Sequence, residues 1–227
     1  MIIEEIAIKS SAILNKLLAD QKLSNYTDRT NTNIPRVFTK AKNASDVRLI
    51  VIGQDPTIKN EKRRQFITTV LNLDKPKWSL YKYISRICCE LGLELEQHVY
   101  ATNFAKNFFI EPPAQIKECD VLEKVLPYWL PLLQEELSYF PNAKIITLGE
   151  PLLKVLSKDK KKAFVNRYWD YNKKWMEEPP IHFSFVDNID SIINRMFFPF
   201  PHQPSIKKDF YNNNFNAYSL FVKNTPI

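Results

Sequence analysis

The sequence predicts an α/β fold: a three-layer α/β/α arrangement, doubly wound about a central, mainly parallel four-stranded sheet. Three observations predict it. Short, wholly apolar runs end at glycine or proline, as strands covered on both faces do. Amphipathic stretches at helical spacing lie between those runs. The two patterns alternate along one chain of 227 residues, a length that suits a single α/β domain.

Taken in order, Ile3, Ile6, Ile8, Ile13, Leu14, Leu17 and Leu18 recur on one face of residues 2–20 and predict a helix. Residues 24–36 are polar and turn-rich. Val47, Leu49, Ile50, Val51 and Ile52 then form an apolar run stopped by Gly53 and Pro56, the first buried strand. HVYATNF at 98–104 and AKIITLG at 143–149 predict the second and third, and RMFFPFPH at 195–202, interrupted by Pro199, the fourth. WSLYKYISRICCELGL at 78–93 is a helix ending near Gly92. The apolar pattern over 116–139 is also helical, with Pro127 and Pro131 expected to kink or divide it. A last helix is expected over 206–222. Residues 157–190, basic and then acidic with interleaved aromatics, read as a solvated, variable insertion in a single domain spanning 1–227. The same mixture would also suit a DNA-contacting arm.

Composition narrows the function. Hydrophobic residues make up 44%, enough for a sizeable core. The chain has only three glycines, and no glycine-rich loop that could cradle a nucleotide polyphosphate. That argues against an ATPase or a dinucleotide oxidoreductase. The net charge of +7 favours a polyanionic partner. Cys88, Cys89 and Cys119 make neither a disulfide framework nor a four-cysteine metal or cluster site, and reduced thiols are expected. Two glutamates interrupt the apolar stretch of MIIEEIAIKS, which argues against a signal peptide, and no apolar run approaches the roughly 18 residues of a membrane span. A soluble, cytoplasmic protein without membrane contact is expected.

Ligands of doubly wound sheets bind beyond the C-terminal strand ends. The four predicted ends carry Gln54 and Asp55, Asn103, Glu150 and His202. A carboxylate, an amide and an imidazole on one rim would suit reading a planar polar ligand and cutting a bond beside it. Each also has a structural reading. Asp-Pro is a common turn, Asn103 could cap one, and His202 could be an ordinary loop histidine.

The order of several longer segments adds to this. VIGQDPT, running from a strand into Gly53-Gln54-Asp55-Pro56, resembles the water-activating motif of the uracil-DNA glycosylase superfamily. RRQFITTV is similar to the segment that supplies that family's stacking phenylalanine, and KWSLYKYISRI to its serine-led, phosphate-touching helix. YATNFAKNFFIEPP and IKECDVLEKVLPYWLPLLQEELSYFPNAKIITLG resemble the asparagine strand, long helix and third strand of its bacterial thermostable branch. PHQPSIKKDFYNNNF resembles the histidine loop, intercalating residue and closing helix. The resemblance covers residues 34–222, with the motifs in family order.

What the resemblance implies is base flipping followed by hydrolysis of an N-glycosidic bond, without metal or cofactor, by a monomer acting on DNA that contains uracil or another damaged base. It implies Asp55 and His202 as catalytic residues. Gln54, Thr57, Phe66 and Asn103 would bind the base, and Ser79, Ser205 and Ile206 would contact DNA. Thr57 stands where the most familiar branch has a tyrosine that excludes thymine, so broader base choice is expected. Gln203 replaces a proline of the histidine loop, although Ile206 keeps its spacing of four residues from His202. Cys119 sits near one cluster-ligand position of the bacterial branch, and no cluster is inferred. A catalytically inactive relative that binds nucleic acid or a nucleobase is the alternative; a small-molecule enzyme using the same rim is a third.

Overall fold

Leu49, Ile50, Val51 and Ile52 are wholly enclosed, so this run is covered on both faces, as a central strand of a parallel sheet must be. The computed structural model describes residues 2–227. In chain order its elements are α1 (Ile2–Ala19), β1 (Phe38–Thr39), β2 (Leu49–Gly53), α2 (Glu61–Arg64), α3 (Ser79–Leu91), α4 (Leu95–His98), β3 (Val99–Asn103), α5 (Val121–Ser138), β4 (Lys144–Leu148), α6 (Glu150–Leu156), α7 (Val165–Tyr168), β5 (Phe198–Phe200), α8 (Asp209–Asn213) and α9 (Phe215–Asn224). The sheet order is β1-β3-β2-β4-β5. β3, β2, β4 and β5 are mutually parallel, and β1 adds an antiparallel edge through Phe38↔Ala101 and Thr39↔Tyr100. The sheet is therefore mixed and five-stranded, not four-stranded. Two residues are too short a run for any periodic signal to announce the extra strand.

Most predicted helices form for the expected reason. α1 buries Ile6, Ser10, Leu14 and Leu17, at helical spacing, but Ile8 points to solvent. α5 begins at Asp120, whose carboxylate accepts from the Glu123 N–H at 3.3 Å. Pro127 and Pro131 lie inside it without dividing it. The buried face of Leu122, Val125, Trp129, Leu132 and Leu133 holds the helix together across the two missing N–H donors. The C-terminal helix does divide. The backbone N–H of Asn214 and its side-chain Nδ2 both donate to the Phe210 carbonyl, at 3.2 and 2.8 Å, which closes α8 before α9 starts.

The segment 157–190, expected as a solvated insertion, is anchored to the core by Ala163, Val165, Trp169 and Val186, while most of its other residues are exposed. Trp169 is fully buried, donates from Nε1 to the Pro199 carbonyl at 2.8 Å, and stacks on Tyr218 with ring centroids 4.1 Å apart. Bridges Ser157↔Ser191 and Val186↔Phe197 close the segment at its base. Its lysines remain outside, so the charge pattern described only its surface. Among the described residues, no helix is long and apolar enough to cross a membrane.

Candidate functional site

Strand order reverses between β2 and β4, because β3 lies on one side of β2 while β4 and β5 lie on the other. At such a switch point the connections leave in opposite directions and open a crevice beyond the carboxyl ends. A cavity of about 550 Å³ occupies this crevice, within the range of roughly 300–1,000 Å³ usual for small-molecule sites. Its wall includes Gln54, Asp55 and Thr57 after β2, Asn103 ending β3, Gly149 and Glu150 after β4, and His202 and Ser205 after β5.

β2 and β3 leave the sheet together. Gly53 is in register with Asn103, and the N–H groups of Phe104 and Ala105 donate to the carbonyls of Gly53 and Gln54 at 2.8 and 3.0 Å. Glycine is required at 53 by crowding. A Cβ there would stand 2.4 Å from Asn103 Oδ1 and 2.6 Å from Leu71 Cδ2. Asn103 is thus laid over bare backbone at the cavity floor. It is only 1% exposed, and its Oδ1 has no hydrogen-bond partner among the described residues. At Gly149, φ is +90°, a turn that side chains resist and that carries β4 into α6 with Glu150 on the wall.

Asp55 is half-buried and held at both oxygens. Thr57 N–H donates to Oδ1 at 2.7 Å and Gln54 Nε2 to Oδ2 at 2.9 Å. Burial nevertheless dominates and pushes the carboxyl up to about 6, against the pull of Thr57, Gln54 and the Arg64 charge. His202 stands at the rim, exposed, yet the surrounding protein desolvates its ring enough to lower its pKa. The imidazole is therefore neutral at neutral pH and keeps one N–H to donate.

Behind this wall lies a buried ion pair. Arg64, 3% exposed, contacts Asp28 Oδ2 at 2.8 Å. It also donates to the carbonyls of Ile58, Phe109 and Ile110 at 3.0, 2.9 and 2.9 Å. One guanidinium thereby ties the loop after Asp55 to the loop after β3.

Other expected residues lie elsewhere. Phe66 is 60% exposed and off the cavity wall, which Ile67 reaches instead. Ser79 is exposed at the first turn of α3, with Trp78 at the cap position, and Leu80 faces the cavity. Ile206 is 8% exposed and packs in the core, so it is no projecting wedge. Wall residues that sequence reasoning missed include Leu71, Asn72, Lys208 and Tyr211. Leu71 and Asn72 hold left-handed backbone, with φ of 56° and 53°. Such conformations concentrate at functional sites, but only the asparagine is a residue type that hints at one.

Lys59, Lys62 and Arg63 follow the wall residue Ile58, and Lys207 and Lys208 follow Ser205. All five are exposed and form no ion pair among the described residues. Among those residues, no group of three His, Cys, Asp or Glu side chains could hold a metal ion. No protein-family model matches the chain, and no curated protein matches it.

Proposed function

We propose that the chain is a DNA glycosylase that flips uracil or a related deaminated base into the switch-point cavity and hydrolyses its N-glycosidic bond. The observation that carries this reading is the presence of Asp55, Asn103 and His202, from three separate strand ends, on the wall of one cavity. The three-layer α/β/α arrangement of the resembling superfamily belongs to the same reading, as do DNA as partner and action as a monomer.

The chemistry follows from the groups present. A base inside a duplex is out of reach, so it must leave the stack, at a few kcal/mol that is smallest for mispaired bases. The bond's electron pair departs with the base, leaving positive charge on the sugar. Ionised Asp55 stabilises that charge and orients the attacking water; the water oxygen bonds to the sugar carbon as one of its O–H bonds breaks, and that proton passes through Asp55 to solvent. Neutral His202 donates a hydrogen bond to the anionic base without transferring a full proton. Asn103 offers a donor and an acceptor to the base edge. The exposed lysines beside the rim would meet phosphates. Since Asp55 must be ionised, release should rise through pH of about 6 and level off above it.

The test is release of free base from single-stranded, U:G and T:G DNA under single-turnover conditions. Wild-type release that falls about 100-fold or more in His202→Ala and in Asp55→Asn supports the reading. Cleavage of T:G as well as U:G would support broader base choice at Thr57, and strict uracil selectivity would refute it. No release from any substrate would overturn the glycosylase reading in favour of a silent, base-binding relative.

A further inference from the structure

The geometry points to Thr57 as the positioning residue of Asp55, with its hydroxyl accepting from the Phe109 backbone and giving its own hydrogen to the Asp55 carboxylate. This rests on the reading in which Asp55 acts on the sugar, and assigns to Thr57 a task other than shaping the base pocket.

A hydroxyl has one hydrogen and two acceptor positions. Phe109 N–H donates to Thr57 Oγ1 at 2.8 Å, which fills one acceptor position and fixes the rotamer. Phe109 is itself immobilised. Its carbonyl accepts from buried Arg64 at 2.9 Å, it bridges to Thr27, and the preceding carbonyl, Phe108, accepts from Asp28 N–H at 2.9 Å. The Thr57 hydroxyl hydrogen must then point away from Phe109. The Asp55 carboxylate is the acceptor at hand: its Oδ1 already takes the Thr57 N–H at 2.7 Å, and the Thr57 side chain pulls the carboxyl's pKa down. On this assignment Thr57 holds the carboxylate by its backbone N–H at Oδ1 and by its hydroxyl, while Gln54 Nε2 holds Oδ2 at 2.9 Å. The Asp28–Arg64 pair acts as the rigid backing for this grip. A carboxylate so held cannot rotate away when a substrate enters, which is the preorganisation that charge stabilisation requires.

The charged or titratable groups facing Asp55 are Arg64 behind it, and Glu150, His202, Lys208 and Tyr211 around the same cavity. None of these changes in a Thr57 substitution, so an altered Asp55 titration reports the hydroxyl.

The experiment is a ¹³C-carboxyl NMR titration of Asp55 in the wild type, Thr57→Val and Thr57→Ser, with base release measured across pH on the same samples. A hydrogen bond to a carboxylate favours its ionised form, so its loss raises the midpoint. Thr57→Val should titrate about one pH unit higher, a tenfold change in proton affinity. The rising limb of its pH–rate profile should move by the same amount. Thr57→Ser keeps the hydroxyl and should titrate like wild type. A wild-type midpoint in Thr57→Val, or a raised one in Thr57→Ser, overturns the proposal. Should Thr57→Val fail to fold, Thr57→Ala removes the same hydroxyl and takes its place in the comparison. The NMR midpoint needs no turnover: an inactive wild type would refute the glycosylase reading while the titration still decides the role of Thr57.

Discussion

Replacing Asp55 with asparagine should abolish base release and yet make the protein more stable. Burial raises the Asp55 carboxyl from 3.8 to about 6 in the folded state. The folded chain therefore binds this proton more tightly than the unfolded chain. Its contribution favours folding at acid pH and is lost as pH rises from about 4 through about 6. At roughly 1.4 kcal/mol per pH unit, the ionised side chain opposes folding by about 3 kcal/mol above pH 7. Asparagine has no charge to desolvate, but its amide cannot accept from both Thr57 N–H and Gln54 Nε2 as the carboxylate does, so a gain of about 2 kcal/mol is expected. For a chain of this size that is a Tm increase of about 5 °C at pH 8, shrinking to about zero near pH 4, where the folded carboxyl is protonated and the unfolded one roughly half so. Differential scanning calorimetry at the two pH values checks it. A gain of equal size at both, or a loss at pH 8, would refute the claim that the fold holds this carboxylate against desolvation.

Three further substitutions test the frame around it. Gly53→Ala places a methyl group 2.4 Å from Asn103 Oδ1; it should destabilise by about 1–3 kcal/mol in urea titrations and abolish base binding by displacing Asn103. Arg64→Met leaves Asp28 buried without its cation, and a loss of about 3–5 kcal/mol is expected; an unchanged urea midpoint would show that the pair contributes nothing. Trp169→Ala removes a fully buried ring from an aromatic cluster and should destabilise by about 3–5 kcal/mol. Faster hydrogen exchange across 157–190 should accompany that loss, whereas a neutral effect would restore the picture of a solvated insertion.

The central strands were legible because burial on both faces leaves no polar alternation to misread. Val51 and Ile146, paired across β2 and β4, are both fully enclosed and both sit in runs closed by glycine. What stayed hidden depends on residues far apart in sequence. Trp169 lies in a run of lysines and tyrosines whose local pattern is that of a solvated surface. Its partners Pro199 and Tyr218 come from β5 and α9. Ile67, not Phe66, reaches the cavity, out of a turn closed by Phe66 N–H to the Arg63 carbonyl and Ile67 N–H to the Arg64 carbonyl, and Leu71 and Asn72 line the same wall on left-handed backbone that no local pattern announces for leucine. Convergence of Asp55, Asn103, Glu150 and His202 was foreseeable in outline, since parallel strands end at a common edge. Which of these ends flank the crevice depends on strand order.

Two aspartates near the same arginine show how the site differs from the frame that supports it. Asp28 touches Arg64 directly, at 2.8 Å. Burial opposes its ionisation, but Thr30, Arg64 and the backbone N–H groups of Thr30 and Asn31 outweigh it, and its pKa falls below the ordinary carboxylate value. Asp55 feels Arg64 only at a distance and accepts from uncharged donors, Gln54 and Thr57. There burial wins and the pKa rises. A carboxylate serving stability alone would be expected to resemble Asp28, with its charge neutralised by direct contact. Asp55 is held by several hydrogen bonds yet kept poorly neutralised, facing a cavity large enough for a ligand. A developing positive charge placed in that cavity would supply the counter-charge that the folded protein withholds, and would do so most strongly at the moment the sugar becomes cationic.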